Sequence, residues 1–222
     1  MSLETIVLGG GGARGFAYLG IIKYIEKYNK YSKIKRVIGS SIGSLFSVMI
    51  AQKRSYAEIR SMMRDHPLVK VDDKLSIANL CSIMSNNYIY ERKDMEDLIR
   101  VLCNEDETFG ELFKRTKIHL TIVASNITKH CSDFFNKDSH PNMPIYIACL
   151  ASTAYPLVFS PVLYEENLYV DGGMTYNVPT DYYKGNGVCF ILEDKKIENN
   201  DKEDSNGLFS FLKSLYKTLL NA

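Results

Sequence analysis

The chain has 222 residues, 45% hydrophobic and 24% charged, with a formal net charge of +1, a profile that fits one globular domain or at most two small ones. Near-neutral charge without a long Lys/Arg run excludes the electrostatic footprint of a dedicated nucleic-acid binder, and no apolar run approaches the roughly 20 residues that carry a helix across a bilayer. Because the first residues, Met1-Ser2-Leu3-Glu4-Thr5, lack a basic and an apolar signal region, the expectation is a soluble cytoplasmic protein, with signal-peptide-independent delivery left open.

Glu4 to Leu8 is a short apolar run with a β-branched core that meets four consecutive glycines, and a helical pattern follows from Arg14 to about Tyr28. Strand, glycine turn and helix open a βαβ unit. A second strand is predicted over Arg36 to Ile38, ended by Gly39-Ser40-Ser41-Ile42-Gly43, and a second helix runs from there towards Gln52. Helices are predicted over Tyr56 to Arg64, Lys93 to Cys103 and Phe109 to Lys114, with a loop at Asp65 to Asp73 where Pro67 breaks the pattern. Ile118 to Ala124 alternates as a strand, and Ile145 to Ala151 returns to helix. Leu168 to Val170 reads as a strand, and the apolar run Val188 to Leu192 as a strand in a central, buried position. Strands alternating with helices argue for an α/β domain around a mostly parallel sheet, spanning residues 1–192. Polar residues 193–206 read as a linker, and 207–222 as an amphipathic helix.

Gly39-x-Ser41-x-Gly43 lies at a strand-to-helix junction, where a sharp turn lifts a serine above the sheet and the helix N-terminus favours developing negative charge. The alternative is a glycine turn with a surface serine. Gly10, Gly12 and Gly15 formally satisfy the dinucleotide fingerprint, but the acid expected near the end of the second strand is missing, with Lys35 and Arg36 there instead. No Gly-Lys-Ser/Thr follows for a phosphate loop. The other reading is an oxyanion hole, in which bare glycine N–H groups point at a tetrahedral intermediate.

A nucleophilic serine needs a base. Asp171 ends a predicted strand ahead of Gly172-Gly173, a placement expected to expose its carboxylate at the carboxyl edge of the sheet; the alternative is a simple turn. His66, His119, His130 and His140 all precede it, so a triad in the order serine, acid, histidine cannot be assembled. A direct Ser–Asp dyad remains open, the carboxylate taking the serine proton without an intermediary.

Together these segments resemble the patatin-like phospholipase family. Gly10-Gly11-Gly12-Ala13-Arg14-Gly15 is similar to its oxyanion motif, Gly39-Ser40-Ser41-Ile42-Gly43 to its nucleophile motif and Asp171-Gly172-Gly173 to its acid motif. Ala151-Ser152-Thr153-Ala154-Tyr155-Pro156-Leu157-Val158-Phe159-Ser160-Pro161 follows a fourth family run, and Asn177 and Pro179 also match. The resemblance covers about Thr5 to Leu192, although Ser55 to Thr116 carries no family motif. It implies a three-layer α/β/α fold and hydrolysis of phospholipid or other acyl-lipid esters, with no metal or cofactor. Ser41 would be the nucleophile, Asp171 the base, and Gly11 and Gly12 the oxyanion donors, with Gly10 keeping the loop open. Arg14 would bind a lipid phosphate or stabilise the loop. A lipid-binding or regulatory module of the same fold, without turnover, is the alternative.

Asp72-Asp73 lacks the spacing of a calcium loop, and there is no His/Cys metal cluster. Five scattered cysteines without a Cys-x-x-Cys pair read as buried free thiols in a reducing compartment. In the last segment Leu208, Phe211, Leu212, Leu215 and Leu219 form one apolar stripe beside Lys213 and Lys217, which reads either as a helix docked on the domain or as an interfacial helix at a membrane surface.

Overall fold

The computed structural model describes residues 4–65, 85–86, 88–90, 93–182 and 185–192. Most of the predicted loop at Asp65 to Asp73, the linker 193–206 and the stripe 207–222 lie outside the described residues.

Strand β1 (Thr5–Leu8) is followed by a 3-10 turn (Gly12–Ala17) and only then by helix α1 (Tyr18–Lys27), so the single helix predicted from Arg14 starts four residues late. The tighter turn brings Gly15 against Ile42, where an α-helical turn bearing a side chain would collide. Strand β2 (Arg36–Ser40) runs two residues beyond its predicted end, because its ladders with neighbouring strands continue through Gly39 and Ser40. Helices α2 (Ile42–Ala51), α3 (Tyr56–Asp65), α4 (Lys93–Leu102), α5 (Phe109–Thr116) and α6 (Ile145–Thr153) stand where helical spacing placed them. Helix α5 has a full capping box, Thr108 accepting from Glu111 N–H while the Glu111 carboxylate accepts from Thr108 N–H.

Short β3 (Tyr88–Tyr90) and β6 (Leu157–Phe159) pair in a separate two-stranded sheet. The main sheet contains β4 (His119–Asn126), β5 (Cys131–Asn136), β7 (Val162–Tyr164), β8 (Asn167–Val170) and β9 (Gly187–Phe190) besides β1 and β2, in the order β7-β8-β4-β2-β1-β9, with β5 on β4. Strands β9, β1, β2 and β4 are parallel neighbours, while β5 and β8 run antiparallel to β4. This is the expected α/β architecture with a mostly parallel central sheet. Strand β9 departs from expectation in one respect: among the described residues it pairs with β1 alone and its residues are exposed or half-buried. An apolar run signals covered faces and does not count ladder neighbours, so it could not distinguish an edge strand from a central one.

Alternation along the strands sends Ile6, Leu8, Val37, Leu120, Ile122 and Ala124 into the large core with α1, α2, α4 and α6. Val7, Ile38 and Val123 point to the opposite face, under Phe134 and Tyr176, the latter from the single turn α7 (Gly173–Tyr176). Each buried Val, Leu or Ile among them contributes about 1.5–3 kcal/mol by leaving water, and Ala124 less. Helix α2 is buried along nearly its whole length, from Gly43 to Ala51. A helix apolar all round is a core element, and this one forms a rigid platform for the residue at its N-cap, Ser41.

The register of β4 brings the site together. One edge of β4 carries β5. On the other, β2 ends with Ser40 opposite Val123, and β8 arrives from the opposite direction with Val170 opposite Ser125. Two strands thus meet end to end on one edge, about one residue apart. The residues that follow them are Ser41 and Asp171.

Among the described residues no helix is long and apolar enough to cross a membrane. Cys103, Cys131, Cys149 and Cys189 are free thiols; Cys103 and Cys149 are buried 3.6 Å apart, but the expectation of burial is corrected for Cys131, exposed at the start of β5, and for Cys189, half-buried in β9, while Cys81 lies outside the described residues.

Candidate active site

Ser41 occupies the turn between β2 and α2 with φ 53° and ψ −133°, a backbone conformation that residues with a side chain rarely adopt. The turn is tight enough that a Cβ on Gly43 would lie 2.3 Å from the Leu8 carbonyl oxygen, so the position admits only glycine. Ser44 Oγ donates to the Ser41 carbonyl at 2.6 Å, tying the elbow to the first turn of α2. The Ser44 N–H donates to the same carbonyl at 2.8 Å, so this first turn of α2 closes directly on the elbow.

Ser41 Oγ donates to Asp171 Oδ2 at 2.6 Å, directly, with no histidine between them. Of the described histidines, His119 bonds to Asp138 and His140 packs on Phe135. Asp171 is 4% exposed, so the expectation of a carboxylate open at the sheet edge is corrected. Because β8 is antiparallel to β4, its end points back along β4 and not out at the rim. Burial raises the Asp171 pKa from 3.8 to about 6, opposed by the Ser41 hydroxyl and by the Gly173 N–H, which donates to Oδ1 at 2.8 Å. Asp171 is therefore ionised at neutral pH yet a better proton acceptor than an exposed carboxylate. Gly172 passes so close to β4 that a Cβ there would lie 2.2 Å from the Val123 carbonyl oxygen.

The glycine loop lies beside this pair, Gly10 facing the Ser41 Cβ. Gly10 N–H donates to Asn177 Oδ1 at 3.0 Å and faces the Asn177 carbonyl at 3.3 Å, so it is committed to holding the loop. Gly11 and Gly12 open the 3-10 turn, where the first N–H groups lack partners within the turn. Arg14 is exposed, and its Nε donates to the Gly11 carbonyl at 3.1 Å. Tyr18, which the sequence reading passed over, is buried with its hydroxyl on the Gly9 and Phe190 carbonyls at 2.8 and 3.2 Å, joining the loop to β9. Its only signal was a tyrosine on an apolar helix face. Ser152 and Asn177 lay within matched motifs but carried no assigned role.

Residues 6–183 match the family model described as Patatin-like phospholipase. The chain belongs to the patatin-like phospholipase family. It is 31% identical over 183 residues to the "Probable lipid hydrolase 463L" of Invertebrate iridescent virus 6, covering 80% of this chain and 62% of that one. It is 26% identical over 214 residues to the "cGAMP-activated phospholipase" of Escherichia coli (strain TW11681), covering 88% and 58%. Among solved structures, VipD from Legionella pneumophila shares the fold with a TM-score of 0.56 at 19% identity, over 81% of this chain and 47% of VipD. The chain thus spans roughly half to two thirds of these relatives' lengths. In this patatin-like domain the four sequence segments, scattered from Gly10 to Asn177, meet around the gap where β2 and β8 face each other.

Proposed function

We propose that this patatin-like chain is a serine acyl hydrolase that cleaves carboxylic esters of phospholipids or related acyl lipids. The observation that carries the reading is the 2.6 Å contact between Ser41 Oγ and Asp171 Oδ2. Asp171 takes the Ser41 proton as Oγ attacks the ester carbonyl, and returns it to the departing alcohol oxygen. Water, activated by the same carboxylate, then attacks the acyl-serine, and the proton passes back to Ser41 as the acid leaves. A carboxylate with a pKa near 6 is a modest base for a serine hydroxyl, so stabilisation of the tetrahedral oxyanion must lower much of the barrier. In this reading the Gly11 and Gly12 N–H groups, with the N-terminus of α2, take that task, an oxyanion donor typically contributing about 3–4 kcal/mol. Gly10 serves the loop through Asn177. Arg14, bonded to the Gly11 carbonyl, serves it from the other side.

These groups complete the cycle by themselves, so hydrolysis is expected to survive a calcium chelator. The substrate reaches the site from a lipid surface. With a net charge of +1, contact with that surface rests on local apolar groups such as the exposed Phe16 and Ile191 beside the glycine loop and β9. The test is incubation with a fluorophosphonate, then mass mapping. The label is expected on Ser41 and absent from Ser41→Ala; a folded wild-type protein that takes no label there would refute the reading.

A further inference from the structure

The fourth family segment contributes nothing to the two-residue chemistry above, yet Ser152, near its start and the end of α6, is wholly buried against both halves of the dyad. Its hydroxyl donates to the Val123 carbonyl at 2.6 Å and accepts the Ser41 N–H at 2.9 Å. Its own carbonyl accepts the Gly172 N–H at 3.1 Å, and the Ala154 carbonyl accepts the Asp171 N–H at 2.9 Å. The place is specific. Strand β2 leaves the edge of β4 after Ser40 and β8 arrives only at Val170, so Ala124 between them has no partner strand on that edge. The Ser152 hydroxyl fills this break, standing between the N–H and C=O that a continuing β2 would have joined directly.

We propose that Ser152 is a positioning residue of the dyad: one turn of α6 holds the Ser41 elbow through its hydroxyl and the Asp171 turn through its backbone, fixing their separation. The proposal rests on the dyad reading above. Its physical ground is that the elbow is strained at φ 53°, and a strained conformation persists only where its surroundings over-determine it. Ser152 supplies the hydrogen bond to the Ser41 N–H. With an alanine there, the Ser41 N–H and Val123 carbonyl both lose their partner, and the elbow can relax away from Asp171. A displacement of about 1 Å at a reacting group is enough to lower turnover about 100-fold.

The experiment compares Ser152→Ala with wild type and with Thr116→Val, which removes a buried hydroxyl bonded to Leu112 and Ile118. Hydrolysis of a short-chain nitrophenyl ester is followed across pH, with fluorophosphonate labelling in parallel. Ser152→Ala is expected to lose about 10- to 100-fold in kcat, with KM within about twofold and labelling slowed by a similar factor. The acid limb of its pH profile should move upward, because the Ser41 hydroxyl no longer stabilises the carboxylate as well. Thr116→Val should keep wild-type kcat. Folded Ser152→Ala with kcat within about twofold of wild type, or with a loss no larger than that of Thr116→Val, overturns the proposal. Where Ser152→Ala does not accumulate folded, Ser152→Cys, a similar shape with a weaker hydrogen-bonding group, is judged by the same criteria. Wild-type protein that takes no label at Ser41 overturns the dyad reading and this proposal with it, whereas labelled wild type with unimpaired variants overturns this proposal alone.

Discussion

Replacing Asp171 with asparagine should make the protein more stable while abolishing its turnover. Burial raises the carboxyl pKa from 3.8 to about 6, so the native state binds this proton more tightly than the unfolded chain does. Below the ordinary carboxylate range both states are protonated and no penalty arises. As pH rises towards 6 the unfolded chain releases its proton first, and stability falls. Above 6 the whole penalty remains, about 3 kcal/mol at 1.36 kcal/mol per pH unit. Asparagine is neutral throughout and its oxygen can still accept from Gly173 N–H. Asp171→Asn is therefore expected to gain up to about 3 kcal/mol at pH 8, a rise in Tm of about 6–12 °C for a chain of this size. The gain should shrink to about 0.5 kcal/mol at pH 4 and vanish below it. Thermal melts by circular dichroism at pH 4, 6 and 8 measure it, and ester hydrolysis at pH 8 should fall at least about 1,000-fold. A variant no more stable than wild type at pH 8, or with a gain independent of pH, would show that the carboxylate is not held desolvated, and the case for a base poised near pH 6 would fall with it.

The wild-type pH profile should show the same group, with kcat/KM for a soluble ester rising through an acid limb centred near pH 6; a limb near pH 4 would refute the assignment. Ser41→Gly and Ser41→Ala should both be inactive, but glycine should be the more stable by about 1 kcal/mol, because only alanine keeps a Cβ at φ 53°; equal urea midpoints would argue against a strained elbow. Asn177→Ala should leave the Gly10 N–H without its side-chain partner and loosen the glycine loop, lowering kcat about tenfold with little change in KM. Thr108→Ala should cost about 1 kcal/mol through loss of the α5 cap while leaving hydrolysis unchanged, which separates stability from activity in the assays above.

Helices α2 to α6 were legible because their apolar spacing has one solution, and β1, β2 and β4 because β-branched runs end at glycine or polar turns. The short strands β3, β5, β6 and β7 were not. Cys131–Asn136 has two adjacent phenylalanines and otherwise polar residues, and becomes a strand only because β4 offers it an open edge. The late start of α1 was equally illegible, since the 3-10 turn answers to a contact with Ile42, twenty-seven residues beyond Gly15. At the site, Ser41, Asp171 and the glycine loop stood out by motif. The roles of Tyr18, Asn177 and Ser152 did not, because a buried hydroxyl or amide shows its purpose only through the backbone groups it meets.

By itself, then, the sequence specified the main helices and the strands β1, β2 and β4, and marked Ser41 as a candidate nucleophile for which a direct acid partner was the expectation, since the order of its histidines forbids a triad in the usual sequence. Tertiary structure alone decided that this partner is buried with a raised pKa, and that it reaches Ser41 at all. Strand direction is not written in local periodicity. A strand reads alike whether it runs with or against its neighbour, and only the antiparallel entry of β8 on the edge that β2 vacates brings together two residues 130 positions apart.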